Sequence, residues 1–291
     1  MNTNAQLIID AKTTLGEGSF WDARTKLLYW VDIEGPMLYA YDPATGENRS
    51  RRMDGRPGTV VPRASDGVVV AVERSVLLLD GIDATPVTLC TFSPEPERNR
   101  LNDGKCDPAG RLWVGTMSST RDPNGTLYCV ETDGTYRSAV TGVTVSNGIV
   151  WTADERTMYY VDTPTMRVQA FDYDKDDGTI SAGRTAFEIP EGMGRPDGMT
   201  IDTDGMLWIA MFGGSAVRRF NPADGSLLET VELPASNVTS CALGGDDLRD
   251  LYITTARVGL TDEARAAQPL AGGLFHARVD TPGALAHLFG G

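Results

Sequence analysis

The stretches DPAGRLWVGTM (107–117) and DTDGMLWIAMF (202–212) share one plan, an Asp- and Gly-rich turn followed by a run of β-branched and aromatic residues. Such pairs of turn and apolar run are typical of β-hairpins. The same plan recurs in four further stretches, DARTKLLYWVDI (22–33), SDGVVVAVE (65–73), DERTMYYVDT (154–163) and DDLRDLYITTA (246–256). The six starts lie roughly 40 to 50 residues apart, which is the period of propeller blades.

A second strand and turn follow in most units, as in PMLYAYDPATGE (36–47) and GTLYCVETDGT (125–135). Long helical patterns are absent, and the best short helix candidate, TDEARAAQPL (261–270), lies within a loop. This spacing of paired hairpins favours a propeller over a sandwich or a barrel. We therefore predict an all-β, six-bladed β-propeller in a single domain, residues 1–291. Pairing of QLIID (6–10) with the last blade would close the ring and remove an exposed edge.

The composition narrows the possible partners of the chain. Its formal net charge of −14 argues against nucleic-acid binding and against attraction to anionic membranes. The sequence opens without a secretory signal, and no apolar run approaches the roughly 20 residues that span a bilayer. Four scattered cysteines indicate buried free thiols rather than disulfides or a zinc site. We expect a cytoplasmic protein without a nucleic-acid or membrane partner, a monomer or weak dimer.

One position of the repeat is unusually polar. The position about five residues before each turn holds Glu17, Val61, Asn102, Asn147, Asp197 and Ser240. Equal offsets in a repeat imply equal places in space, so this stretch should form the innermost strand of each blade, along the channel. Four oxygen-bearing side chains that converge there would be costly to bury unless they are hydrogen-bonded or bound to a cation. The simpler alternative is a set of Asx turns, with the glycines that follow acting only as turn residues.

Hard oxygen ligands of this kind are those that Ca²⁺ and Mg²⁺ prefer, and they also accept Mn²⁺. We therefore predict one divalent metal ion at the mouth of the channel. Ca²⁺ is the first choice, and Zn²⁺, Mn²⁺, Mg²⁺ and Fe²⁺ are the alternatives, because availability decides metal identity as much as geometry does.

Several chemistries are excluded by the residues that the chain lacks. Its only histidines, His276 and His287, lie near the C-terminus, and no G-x-S-x-G nucleophile elbow or nucleotide-binding loop occurs. A carboxylate base beside a metal remains, with Asp197 in RPDGM (195–199) and Glu17 in LGEGSFW (15–21) as the candidates. A metal that polarises a carbonyl next to such a base is suited to the hydrolysis of an activated ester.

At these residues the chain resembles the senescence marker protein 30/gluconolactonase/regucalcin family. The matching segments extend over nearly the full length and are LGEGSFWD (15–22), RLNDGKCDPAGRLWVGTM (100–117), SNGIVW (146–151), FDYDKDDGTIS (171–181), PDGMTIDTDGMLWIA (196–210), TSCALGGDDLRDLYITTAR (239–257) and AGG (271–273). The six-bladed propeller that the resemblance implies agrees with the repeat.

The resemblance also implies roles for individual residues. Glu17, Asn147 and Asp197 would bind the metal, and Asp197 would act as general acid and base. Arg100 and Asn102 match residues that contact substrate hydroxyls and the ring ester in lactonases of the family. In the related phosphotriesterase branch, the place of Asn102 is a metal ligand.

The chain departs from the family pattern in one place. Family members often have a glutamate shortly after the G-T-M block, whereas here the run is Ser118, Ser119, Thr120 and Arg121. We therefore expect a different substrate lid. For Arg100, the charged run 97–100 also leaves open an ordinary surface ion pair.

Together, these features predict a hydrolase of carboxylic ester bonds, a metal-dependent sugar lactonase. It would convert an aldonolactone of the gluconolactone or pentonolactone type to the aldonic acid. Two alternatives stay open: an organophosphate or aryl-ester hydrolase on the same propeller, and a calcium-binding regulatory protein without turnover.

Overall fold

The computed structural model describes residues 2–93, 95–96 and 98–291, and Met1, Pro94 and Glu97 lie outside the described residues. It confirms a six-bladed β-propeller. The described residues form six sheets, each with four antiparallel strands, and the innermost strands of neighbouring sheets pack against one another.

Each blade contributes four strands in order from the channel outward. The innermost strands are Gly16–Asp22, Pro57–Pro62, Arg100–Cys106, Ser146–Trp151, Arg195–Ile201 and Val238–Gly244. The second strands are Leu27–Asp32, Val68–Val72, Leu112–Met117, Thr157–Asp162, Leu207–Phe212 and Asp250–Thr255. The third strands are Met37–Tyr41, Ser75–Leu79, Gly125–Val130, Arg167–Asp174, Ala216–Phe220 and Leu274–Arg278. The outermost strands are Asn48–Arg52, Val87–Thr91, Tyr136–Val143, Thr179–Glu188, Leu227–Glu232 and Gln6–Ile9.

The N-terminal segment closes the ring as predicted. Gln6–Ile9 pairs antiparallel with Leu274–Arg278 and completes the sixth blade. The strand just before it, Asn2–Asn4, was not predicted; it pairs in parallel with Leu227–Glu232 and gives the fifth blade a fifth strand. One short segment thus holds two blades together through backbone hydrogen bonds.

The two stretches that revealed the repeat owe their likeness to one local structure. Asp107 accepts hydrogen bonds from backbone N–H groups two and four residues later, at 3.0 and 2.9 Å. Its other oxygen accepts the indole N–H of buried Trp113 at 2.9 Å. Asp202 and Trp208 repeat the arrangement, with the same 2.9 Å indole contact. The aspartate therefore closes the turn and fixes the tryptophan between the blades.

The helical content is small. Asp262–Ala267 forms an α-helix that begins after the N-cap Thr261, whose hydroxyl accepts the N–H of Ala264 at 3.2 Å. This helix falls inside the stretch predicted for it, and a single 3₁₀ turn, Thr163–Thr165, follows a second strand. Across residues 2–93, 95–96 and 98–291, no helix is long and apolar enough to cross a membrane.

The C-terminal segment crosses the face where the innermost strands end. Ala284 donates its N–H to the carbonyl of Ile201 at 3.1 Å, and Phe289 donates to the carbonyl of Pro62 at 2.9 Å. The Phe289 side chain is fully buried in a cluster with residues of the first three blades, among them Val61. This face of the channel is therefore covered by the chain itself.

We expect Phe289→Ala to lower the free energy of unfolding by about 3–5 kcal/mol, because it leaves a cavity in a packed core. Leu285→Ala, in the same segment but at a side chain 66% exposed, should change it by no more than about 0.5 kcal/mol. Denaturant titration of both variants measures the difference. Equal effects would show that the buried phenylalanine does not anchor the segment.

Candidate functional site

The open face of the channel, where the innermost strands begin, contains a pocket of about 320 Å³. The residues predicted from the sequence to form the site all line it: Glu17, Arg100, Asn102, Asn147 and Asp197. They come from the first, third, fourth and fifth blades. The structure therefore places the whole predicted set around one pocket, including the four residues found from the repeat offsets and Arg100, which the family resemblance suggested.

Irregular strand pairing presents these side chains to the channel. Asn102, Asn147 and Asp197 each lie at a β-bulge, where two residues of the innermost strand face one residue of the second strand. Glu17 comes directly before such a register shift. Bulges redirect side chains and are frequent next to functional sites.

The offset count was wrong for the second blade. There the register shift falls between Pro57 and Thr59, so Gly58 lies at the level of the pocket. Val61 lies near the other end of its strand and packs in the apolar core. Because Gly58 has no side-chain oxygen, the oxygen donors of the site come from the other blades.

The glycines after the polar residues are not turn residues, contrary to the simpler alternative. Gly148 and Gly198 lie within innermost strands. A Cβ at Gly148 would come within 2.8 Å of the carbonyl oxygen of Asp197, and one at Gly198 within 3.0 Å of the Cα of Ser240. They are needed because the neighbouring backbones approach so closely that a side chain would not fit.

Asp197 carries an unusual oxygen. Its side chain is buried, and its Oδ1 has no hydrogen-bond partner among the described residues. Burial raises its pKa well above the ordinary value, and the negative charges of Glu17 and Asp103 add to the shift. A buried carboxylate without a partner is costly to keep ionised, which indicates that something else completes this site.

Glu17 has the same electrostatic character. Burial raises its pKa to about 8, and the charge of Asp103 contributes further. Its Oε2 accepts the N–H of Gly18 at 3.1 Å. Two carboxylates that disfavour each other's ionisation, in one buried pocket, are the environment that a cation stabilises.

A chain of hydrogen bonds orients the amide side chains. Asn102 donates from Nδ2 to the Oδ1 of Asn147 at 3.0 Å and to the carbonyl of Ser146 at 2.7 Å. Asn147 donates from Nδ2 to the hydroxyl of Thr163 at 2.7 Å, and Thr163 donates to the carbonyl of Pro196 at 2.8 Å. The Oδ1 of Asn147 is thereby fixed on the side of Asn102, with a second lone pair still available.

Arg100 is not the surface ion-pair residue that the sequence left open. It is buried, and no carboxylate of the described residues lies within 4 Å of its guanidinium; Glu97 is outside that set. Its Nη1 donates to the Oδ1 of Asn102 at 2.6 Å and to the carbonyl of Leu101 at 3.1 Å. Arg100 therefore occupies one lone pair of the Asn102 oxygen and fixes the orientation of that amide.

The pocket has the donor set of a hard-cation site. Its oxygens come from two carboxylates, Glu17 and Asp197, and from the amide of Asn147. In this pocket and in the rest of the described chain, no group of three or more His, Cys, Asp or Glu side chains is placed to hold a metal. The third oxygen donor of the pocket is an amide, that of Asn147. A divalent cation would give the unpartnered Oδ1 of Asp197 its contact and would balance both carboxylates.

We expect the chelated protein to lose stability as the pH rises from about 4.5 to 8. The folded pKa of Glu17 lies above its ordinary value, so the folded state holds a proton that the unfolded state has released. Each such group lowers the free energy of unfolding by at most about 1.4 kcal/mol per pH unit. Denaturant titrations at several pH values measure the slope.

Saturating metal should flatten this slope, because a cation stabilises the ionised carboxylates, and Glu17→Gln should reduce it in the chelated protein. A chelated protein whose stability does not depend on pH in this range would contradict the electrostatic interpretation.

Several residues of the pocket were missed by the sequence analysis. Thr163 orients Asn147 from the 3₁₀ turn, and Asp103 lies buried beside the site in the third blade. Two arginines, Arg121 and Arg195, also line the pocket, as does Glu34. Arg195 lies in RPDGM (195–199) and Asp103 in the segment 100–117, but no pattern shared by all six blades marks either residue. Arg121 lies in a loop, where no periodic sequence pattern exists.

The two histidines lie away from this pocket. His276 belongs to a third strand, and its Nε2 lies 2.7 Å from the Oδ1 of Asp250. His287 is in the C-terminal segment and lines a separate cavity at the covered face. All four cysteines are free thiols, and only Cys90 is not fully buried.

The fold and the pocket define a class of protein, a six-bladed β-propeller with carboxylate and amide oxygens gathered at the open mouth of its channel. Residues 15–257 match the family model described as the SMP-30/Gluconolactonase/LRE-like region. The chain belongs to this family.

Three similar proteins illustrate the family. YvrE of Bacillus subtilis (strain 168), whose name assigns it provisionally to the sugar lactone lactonases, is 38% identical over 281 residues, 96% of each chain. Regucalcin of Danio rerio is 38% identical over 273 residues, 93% of this chain and 92% of its own. A solved structure of luciferin-regenerating enzyme is 32% identical with a TM-score of 0.91, and the match covers 98% of this chain and 99% of that chain.

Proposed function

We propose that this protein is a metal-dependent lactonase that hydrolyses a sugar lactone to the open-chain sugar acid. The observation that carries the proposal is the buried, unpartnered Oδ1 of Asp197, in a pocket shared with Glu17 and Arg100. Membership of a family whose description includes gluconolactonase supports it, as does the lactonase name of the Bacillus subtilis relative.

Glu17, Asn147 and Asp197 would hold the divalent cation, with Ca²⁺ as the first choice for an all-oxygen donor set. When bound there, the cation supplies Lewis-acid polarisation of the ester carbonyl. Because the cation would neutralise both carboxylates, the positive charge of Arg100 would remain available to stabilise the oxygen that becomes negative during the reaction.

The chain's own groups move the proton. A carboxylate oxygen of Asp197 accepts a proton from the attacking water as the water oxygen bonds to the carbonyl carbon. The bond between that carbon and the ring oxygen then breaks, and Asp197 returns the proton to the leaving oxygen. One water is consumed, and the products are a carboxylic acid and a hydroxyl group on one chain.

Arg100 and Asn102 position the substrate. The hydrogen bond to Asn102 fixes one edge of the buried guanidinium. The remaining N–H groups can donate to sugar hydroxyls or to the ring ester. Positioning of this kind contributes to rate by holding the ester near the attacking water.

The proposal is tested by initial rates on D-glucono-1,5-lactone, xylonolactone, an aryl ester and a phosphotriester, with chelated protein and with protein reconstituted with each divalent metal. We expect lactone hydrolysis that is lost on chelation and restored by metal. Hydrolysis of the phosphotriester alone would replace the proposal with an organophosphate hydrolase. Tight Ca²⁺ binding without any turnover would replace it with a binding protein.

A further inference from the structure

Three guanidinium groups line the pocket of a chain whose net charge is −14. They belong to Arg100, Arg121 and Arg195. Among the described residues, no carboxylate lies within 4 Å of any of them, although arginines elsewhere in the chain form many such pairs. Arg100 is buried, and a buried charge needs a partner in the protein or in the ligand, whereas Arg121 and Arg195 are exposed at the rim, where a ligand can reach them.

The remaining charges of the pocket do not supply that partner. Glu17 and Asp197 would be balanced by the divalent cation that their carboxylate oxygens are suited to bind. Glu34 is exposed at the rim and lies 3.9 Å from the guanidinium of Arg56, which also pairs with Glu73 at 2.9 Å. With the cation in place, the walls of the pocket keep an excess of positive charge.

Arg121 and Arg195 are placed differently from Arg100. Arg121 is exposed in the loop after the second strand of the third blade, within the run where family members often have a glutamate. Arg195 begins the innermost strand of the fifth blade, and its guanidinium lies 5.0 Å from the ring centroid of Phe212. This cation–π contact holds it against a wall of the pocket.

Neutral sugar hydroxyls can be recognised by amides and carboxylates, whereas planar guanidinium groups match two-oxygen anions. We propose that the substrate is a sugar lactone with an additional anionic group, a carboxylate or a phosphate, which Arg121 and Arg195 bind. This inference rests on the proposed lactonase function and specifies its substrate class. The anionic group would lie toward the rim, away from the ring ester at Arg100.

The test uses two pairs of lactones that differ only at one carbon. D-Glucaro-1,4-lactone and D-glucono-1,4-lactone differ by a carboxylate, and 6-phospho-D-glucono-1,5-lactone and D-glucono-1,5-lactone differ by a phosphate. For metal-loaded protein at low salt, we expect kcat/KM to favour at least one anionic member by about tenfold or more, mainly through KM. The preference should shrink toward about 1 M salt, where the screening length is roughly 3 Å.

Arg121→Gln and Arg195→Gln should each reduce the ratio of kcat/KM values, anionic to neutral, by about tenfold. Arg156→Gln is the matched control, because Arg156 is exposed in a turn at the covered face and its loss changes the net charge equally. The control should leave the ratio unchanged.

The outcomes separate this inference from the function on which it rests. A preference for the carboxylate pair alone assigns a lactone of a dicarboxylic sugar acid, and a preference for the phosphate pair alone assigns a sugar-phosphate lactone. Hydrolysis of the neutral lactones at equal or higher kcat/KM overturns the inference and leaves the lactonase function standing. Absence of hydrolysis for all four compounds overturns both.

Discussion

Replacement of Asp197 by asparagine is expected to lower kcat for lactone hydrolysis by about 10³-fold at saturating metal. The amide keeps an oxygen in the same place but cannot accept the proton of the attacking water. The chelated variant should also be at least as stable at pH 8 as the chelated parent, because a buried carboxylate with a raised pKa has been removed.

Initial rates, measured together with thermal unfolding, test this expectation. Asp204→Asn is the control, since Asp204 is 61% exposed in the following turn and pairs with Arg219. It should change kcat by less than about twofold. An Asp197→Asn variant that binds metal and keeps the parental kcat would show that Asp197 does not transfer the proton.

Glu17→Gln is expected to weaken binding of the divalent cation on the order of 100-fold, because affinity for hard cations follows the number of charged oxygen ligands. Activity at limiting metal should fall in proportion and recover in part with excess metal. Calorimetric titration of chelated protein measures the dissociation constant.

The same pocket offers a matched control. Glu34→Gln removes an equal charge from the rim, where the side chain is 37% exposed and faces Arg56. It should change the affinity by less than about threefold, as expected of a screened charge. Equal losses in both variants would mean that net charge, and not coordination by Glu17, determines the affinity.

The two inner strands of each blade and most third strands could be predicted from the sequence, whereas the outermost strands, apart from Gln6–Ile9, could not. Second strands such as Leu112–Met117 are buried on both faces and bounded by turns, so they appear as apolar runs. Outermost strands such as Asn48–Arg52 and Thr179–Glu188 are mostly exposed and polar, and they carry no comparable pattern. Their pairing is imposed by the neighbouring strand.

The sequence repeat was sufficient to predict site residues in those blades that share the same local backbone geometry. Asn102, Asn147 and Asp197 occupy the same bulge in three blades, so equal offsets placed them correctly. The count failed at Val61 because the second blade has a different spacing between its bulge and its turn. Thr163 and Arg121 lie in connections whose course depends on packing, which no periodic pattern records.

The most direct test is a crystal structure of the protein saturated with Ca²⁺ or Mn²⁺, with the ion located by anomalous scattering. We expect one peak at the open mouth of the channel, bound by oxygens of Glu17, Asn147 and Asp197, at about 2.3–2.6 Å for Ca²⁺. A peak bound by other residues, or no peak in protein that hydrolyses lactones, would contradict a metal centre built from three blades.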